Sequence, residues 1–245
     1  MIIQACLNGS RPKEFHPRLP ISAEALAHDA AEAVRAGASE IHLHVRGVNG
    51  EESLAPEAVD MTLAAVRARA PGTLIGISTG AWIERDDDTR LEMIAGWRCL
   101  PDHASVNLGE RDAPAVIEAL HRRGIGIEVG LGTIADAERL VKLKLGGLAL
   151  RILVEMDTQT SLDEAIAVAD FVLDILRRAE IHKPILLHGF DTTVWPLVHR
   201  AVAAGYSTRV GLEDGCMLPD GNQAPSNAAL VAAAIGIRNS FYDPA

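Results

Sequence analysis

Short runs rich in β-branched residues alternate, eight times over, with longer Ala- and Leu-rich amphipathic runs, and nothing long interrupts the series. Strands are expected at Ile2–Leu7, Glu40–Arg46, Leu74–Ser78, His103–Leu108, Gly126–Gly130, Leu148–Leu153, Pro184–His188 and Ser207–Leu212. Helices are expected between and after them at Ala23–Ala36, Pro56–Ala70, Asp88–Arg98, Ala113–Arg123, Ile134–Lys144, Ser161–Arg178, Thr193–Ala204 and Ser226–Arg238. A strand followed by a helix and then another strand implies parallel pairing, and an unbroken set of such units closes into a barrel. Gly37, Gly124, Gly146 and Gly205 each fall between a helix and the next strand, where a left-handed C-cap is expected. The reading is α/β, a (β/α)8 TIM barrel forming a single domain over residues 1–245, with a length close to the ~250 residues of one such barrel. An open doubly wound sheet is the structural alternative. It usually carries a Gly-rich phosphate loop after its first strand, and Asn8-Gly9-Ser10-Arg11-Pro12 does not have that spacing.

Composition narrows the partners. With 23 Lys and Arg against 33 Asp and Glu, the net charge of −10 argues against a general nucleic-acid surface. No apolar run reaches the ~18 residues of a membrane span. The first residues, Met-Ile-Ile-Gln-Ala-Cys, read as a strand rather than a signal peptide. Cys6, Cys99 and Cys216 are odd in number and far apart, as expected of reduced thiols in a cytoplasmic protein.

The chemistry sits at strand ends. In Ile41-His42-Leu43-His44-Val45-Arg46, alternation puts His42, His44 and Arg46 on one face and the apolar residues on the other. Because the outward face packs under helices, the polar set should point into the barrel. Buried imidazoles are costly unless paired, and a metal satisfies two at once. Two hydrogen-bonded core histidines are the alternative. In Arg209-Val210-Gly211-Leu212-Glu213-Asp214, Arg209 and Glu213 share a face, and the two even-numbered strands can supply one side-chain layer. His42, His44 and Glu213 then form a two-histidine, one-carboxylate set with an open position, the pattern of catalytic zinc. A salt-bridge cluster at the barrel mouth is the alternative for strand eight. Asp214 is placed to remove a proton next to a metal-polarised carbonyl, with Arg209 orienting it; a turn cap is its other role. Ser78-Thr79-Gly80 at the third βα junction suits an anion pocket or a plain turn, and Ser105 and Asn107 lie beside it. Glu128 points inward with no assigned role, and His188, at the end of strand seven, reads as a group behind the site, with an extra metal ligand or a proton shuttle as the alternatives. His16, His28, His103, His121, His182 and His199 read as structural.

Taken together these motifs resemble the β-keto acid cleavage enzymes, zinc-dependent TIM barrels, and the likeness runs nearly end to end. It rests on Leu7-Asn8-Gly9 with Pro20, Ala36-Gly37-Ala38, His42-Leu43-His44-Val45-Arg46, Ser78-Thr79-Gly80, Ser105-Val106-Asn107-Leu108-Gly109, Arg209-Val210-Gly211-Leu212-Glu213-Asp214, and Leu218-Pro219-Asp220-Gly221 through Ala224-Pro225-Ser226-Asn227. The resemblance implies that a β-keto acid and acetyl-CoA give acetoacetate and a new acyl-CoA. It implies one Zn2+ per chain, Asp214 with Arg209 as the base pair, and Glu128 as an active-site glutamate. It also implies a carboxylate site of Ser78, Thr79, Gly80, Ser105 and Asn107, with Glu14 at the variable end of the substrate, and a homo-oligomer, tetramer favoured. Two departures lie at the mouth: Gly47 where the family commonly has Asp, and Gly215-Cys216-Met217-Leu218 where it commonly has Asn-Leu-Tyr-Leu.

Three other functions compete. A metal-dependent hydrolase on a barrel would want further histidines on strands five and six, where this chain offers Glu128 and none. A Schiff-base aldolase is disfavoured because Lys13, Lys142, Lys144 and Lys183 all miss the strand ends. A non-catalytic binding barrel is allowed by fold alone and would hold no metal.

Overall fold

The computed structural model describes residues 1–156 and 161–242. Its strands are β1 (Ile3–Cys6), β2 (Glu40–Leu43), β3 (Leu74–Ser78), β4 (His103–Asn107), β5 (Gly126–Leu131), β6 (Arg151–Met156), β7 (Ile185–Gly189) and β8 (Thr208–Val210). The helices are α1 (Ala23–Arg35), α2 (Pro56–Arg69), α3 (Asp87–Gly96), α4 (Ala113–Arg122), α5 (Ile134–Leu143), α6 (Leu162–Arg178), α7 (Val194–Ala204) and α8 (Asn227–Tyr242). The strands pair in parallel in the order β7-β6-β5-β4-β3-β2-β1-β8. The last seam closes through Ser207, whose N–H donates to Ile185 O (3.0 Å) and whose carbonyl accepts from Leu187 N–H (2.9 Å). The expected TIM barrel is therefore what the chain forms. Among the described residues no helix is long and apolar enough to cross a membrane, and Cys6, Cys99 and Cys216 are all free thiols.

Helix starts follow the local sequence. Ser22, Asp86, Thr133 and Ser161 each accept a backbone N–H from the first turn of the helix they precede, and Pro56 opens α2 where its missing N–H costs nothing. Gly37, Gly124 and Gly205 take the positive φ expected of them. Gly146 does not, and here the expectation is corrected. Lys144 makes the left-handed turn (φ 56°), and Leu145–Leu148 then form a 3-10 turn. The apolar run Leu145–Leu150 looks like the start of a strand, yet β6 begins only at Arg151. That shift brings Glu155 to the barrel mouth. β2 is also shorter than expected: it stops at Leu43, and Arg46 pairs instead with Glu52 in an antiparallel bridge.

The two sides of the sheet differ in chemistry. Outward residues such as Ile41, Leu43, Ile75, Ile77, Val106, Ile127 and Val129 are buried beneath the helices and form the apolar core, each worth ~1.5–3 kcal/mol when fully buried. The inward layer is polar. Its floor is Gln4, Glu40, His103, Glu128 and Arg151, all buried. Arg151 Nε donates to Glu128 Oε1 (2.6 Å), and its Nη2 donates to Glu40. Gln4 Nε2 donates to both carboxylates, at 2.9 and 3.1 Å. Buried charge is tolerated there because it is paired and hydrogen-bonded.

Asn227 ties the mouth together. Its Oδ1 accepts Leu212 N–H (2.7 Å), and its Nδ2 donates to Leu7 O (2.8 Å) and Asp29 Oδ2 (2.5 Å). It thereby joins the segments after β1 and β8 to α1 and α8. Asn227→Ala leaves three buried polar groups unpaired, and urea denaturation is expected to show a loss on the order of 2–4 kcal/mol; a change within ~0.5 kcal/mol would mean that the mouth does not depend on this residue.

Candidate metal centre

His42 and His44 reach the mouth by different means. His42 is on β2. His44 lies beyond the strand, and its backbone is fixed by Asn8, whose Nδ2 donates to His44 O and whose Oδ1 accepts His44 N–H, both at 2.9 Å. Glu213 stands in the turn after β8, with its N–H on Cys6 O (3.3 Å) and its carbonyl held by Arg11 Nε (3.0 Å). Gly9, at φ +54°, packs on its side chain so closely that a Cβ would lie 2.4 Å from Glu213 Cγ. Only glycine suits that backbone and that contact.

The three side chains converge. Glu213 Oε2 is 3.8 Å from His42 Nε2, and Oε1 is 3.5 Å from His44 Nε2. One donor atom from each lies within 4.8 Å of the others, all buried. Glu213 Oε2 and His42 Nδ1 have no hydrogen-bond partner among the described residues. A buried carboxylate oxygen and two Nε2 atoms aimed at one point fit a divalent cation. The nitrogens behind them face carboxylates: His44 Nδ1 meets Glu52 Oε1 at 2.5 Å, and His42 Nδ1 lies 4.0 Å from Glu128 Oε2. Burial and the local charges split the two imidazoles. Burial pushes His42 down to about 3, with Glu213 pulling the other way. Burial acts downward on His44 too, but Glu213 and Glu52 outweigh it and hold His44 up to about 9.

Arg209 organises the other side. Its Nη2 donates to Glu213 Oε1 and to Asp214 Oδ1, each at 2.9 Å, and its Nε donates to His188 Nδ1 (3.2 Å). That bond leaves His188 Nε2 carrying the proton, 3.7 Å from Glu155 Oε2. Burial and then Arg209 push His188 well below the usual histidine range. Burial raises Asp214 to about 7, although Arg209 opposes it; Glu213 adds to the rise. Glu213 itself lies well below the usual carboxylate range, because Arg209, His42 and His44 outweigh its burial.

These groups surround a cavity of about 460 Å³. His42, His44, Glu213, Arg209, Ser78, Ser105 and Asn107 line it, so seven residues singled out in the sequence meet at one wall. The others lie elsewhere. Asp214 is fully buried behind Arg209, its Oδ2 unpartnered among the described residues. Glu128 belongs to the floor, where Arg151 and His103 together with His42 hold it down to about 2 despite burial. Thr79 turns its hydroxyl to Ser105 O (2.8 Å), and Gly80 N–H donates to Ser78 Oγ (3.3 Å). Glu14 sits exposed in the 3-10 turn Lys13–Phe15 and does not line the cavity.

Several wall residues escape sequence reasoning: Arg11, Trp82, Glu155, Phe190 and Asp191. Glu155 carried a findable signal, since it precedes no turn residue and alternates with Arg151 and Leu153, but only once β6 is set in register. Trp82 and Glu52 carried none, because both come from loops whose path depends on tertiary contacts. Of the histidines left without a site role, His16 bonds Ala224 O (2.9 Å), and His103 lies 3.6 Å from Glu128 Oε2.

Comparison with known proteins covers the same ground. The chain is 24% identical over 260 residues to the 3-keto-5-aminohexanoate cleavage enzyme of Acetoanaerobium sticklandii, covering 100% of this chain and 93% of that protein. It is 26% identical over 263 residues to the 3-oxoadipate:acetyl-CoA acetyltransferase of Cupriavidus necator, covering 99% and 90%. In three dimensions it resembles ObcA in a ternary complex with a C4-CoA adduct and oxalate, with a TM-score of 0.74 at 18% identity. That match covers 92% of this chain and 64% of ObcA, so the chain spans somewhat under two thirds of that structure's length. The sequence profile of one family, the beta-keto acid cleavage enzymes, matches from residue 1 to residue 244, the whole barrel and every residue of the site, and the chain belongs to that family.

Proposed function

We propose that the chain uses acetyl-CoA to cleave a β-keto acid, giving acetoacetate and a new acyl-CoA, at a zinc site of His42, His44 and Glu213. The observation that carries this reading is the convergence of those three side chains beside the Arg209–Asp214 pair. Two imidazoles and one carboxylate are a donor set suited to zinc. Zinc bound there supplies Lewis-acid polarisation of the substrate's keto oxygen.

The chain's own residues supply the rest. Ser78, Ser105 and Asn107 present hydroxyl and amide donors to the substrate carboxylate, with Thr79 and Gly80 shaping the wall behind them. Asp214, held by Arg209, takes the proton from the carbon between keto and carboxylate groups. The resulting carbanion attacks the thioester carbonyl of acetyl-CoA and releases the coenzyme A thiolate; the thiolate then adds to the original keto carbon, and the bond from that carbon to the central carbon breaks, leaving the new acyl-CoA and the acetoacetate carbanion. The acetoacetate carbanion recovers the proton. Glu128 supports His42 from below. By family likeness Glu14, exposed in the first βα loop outside the cavity, meets the variable end of a substrate that reaches beyond the wall. The protein works as a cytoplasmic homo-oligomer, a tetramer by family likeness, without nucleic-acid or membrane partners.

Two outcomes follow. Asp214→Asn keeps the metal and loses roughly 10²–10⁴-fold in kcat, measured as acetoacetate release from a screened β-keto acid; near-normal turnover would remove Asp214 as the base. Metal affinity rises with pH. His44, held up to about 9, keeps its extra proton at neutral pH in the metal-free protein, and the incoming cation must displace it. Affinity should therefore climb about tenfold per unit toward pH 9 and level off above it. Calorimetry in buffers of different ionisation heat checks this by counting released protons, and zero release at pH 7 would contradict it.

A further inference from the structure

We propose that Glu52 is a positioning residue for His44 as a metal ligand, and that Trp82 holds Glu52 in that role. The inference rests on the metal reading above.

The chain is built to bring Glu52 back over His44. After β2, Gly47 N–H donates to Glu51 O (2.8 Å), Gly50 N–H to Gly47 O (2.9 Å) and Ser53 N–H to Val45 O (3.0 Å). Arg46 and Glu52 face each other in an antiparallel bridge. This hairpin folds Glu52 onto the ring eight positions before it. One carboxylate oxygen meets His44 Nδ1 at 2.5 Å, and the other accepts Trp82 Nε1–H at 2.9 Å. Both oxygens are thus engaged, and the carboxylate cannot swing away without losing both contacts.

Trp82 adds a second hold. Its ring lies nearly parallel to His44, at 25° with centroids 6.2 Å apart. It stays 45% exposed at the mouth, an exposure that these two contacts explain. The chain makes room for it, since a Cβ on Gly80 would lie 2.3 Å from the indole.

The division of labour is clear. Asn8 fixes the backbone of His44 but leaves ring rotation and tautomer open. Glu52 sets both. With Nδ1 donating to Glu52, the Nε2 atom is the one aimed at Glu213, 3.5 Å away. Hydrogen bonds of this kind behind a metal-bound histidine commonly govern 10–100-fold in metal affinity. Among the described residues His42 Nδ1 has no hydrogen-bond partner, and Glu128 Oε2 stands 4.0 Å from it.

The test is zinc affinity of the full chain, stripped and titrated in competition with a chromophoric chelator. Glu52→Ala is expected to weaken zinc binding about 10–100-fold and to shift the visible spectrum of the cobalt(II)-loaded protein, with the far-UV circular dichroism of the parent retained. Glu52→Gln, whose amide oxygen still accepts from Nδ1, should recover part of the loss. Zinc affinity within twofold of the parent and an unchanged cobalt spectrum in Glu52→Ala would overturn the proposal while leaving the metal site intact. A parent that takes up no zinc would overturn both. If Glu52→Ala does not fold, Trp82→Phe decides: a several-fold loss supports the clamp, and no loss overturns it.

Discussion

The site depends on one guanidinium. Arg209 is buried on β8 and donates to Glu213, Asp214 and His188 at once. Glu213 and Asp214 are adjacent, both buried, and share this cation. Without it, two carboxylates would be left in a low-dielectric pocket, a defect on the order of 3–5 kcal/mol. With it, they divide: Glu213 lies well below the usual carboxylate range, while burial raises Asp214 to about 7. Environments that drive the pKa values of neighbouring acids apart in this way suit them to different roles.

The barrel holds a second cluster that could take a cation by distance alone, Glu40, His103 and Glu128. There Arg151 already lies between the carboxylates, donating to both, and Gln4 bonds each of them. The protein's own guanidinium thus pairs with both carboxylates. At the mouth the arrangement is different. Glu213 Oε2 has no hydrogen bond among the described residues and faces His42 Nε2 at 3.8 Å. The floor is therefore filled by the Arg151 guanidinium, whereas at the mouth His42 Nε2, His44 Nε2 and a Glu213 oxygen face one another, a donor set suited to a cation.

Much of this was readable in the sequence because alternation is a local rule. The inward direction of His42 and Arg209 follows from period two in β2 and β8, and the barrel follows from eight β–α pairs. The misreadings came where local pattern and tertiary path diverge. Leu145–Leu150 is as apolar as a strand, yet Lys144 turns left-handed and the strand starts later, which hid Glu155. Thr79 and Gly80 look like anion donors in sequence, but their groups are used by Ser105 and Ser78. Glu52 and Trp82 were invisible because a hairpin and a βα loop, not a strand period, bring them to His44.

The central claim is that three side chains on separate parts of the barrel hold one cation. Elemental analysis by inductively coupled plasma mass spectrometry, on protein purified without added metal or a histidine tag, tests it most directly. The expected result is about one zinc per chain in the parent and none in a folded His42→Ala variant. A folded parent that carries no metal and takes up none on reconstitution would contradict it, leaving the histidines as hydrogen-bonded groups of a polar barrel.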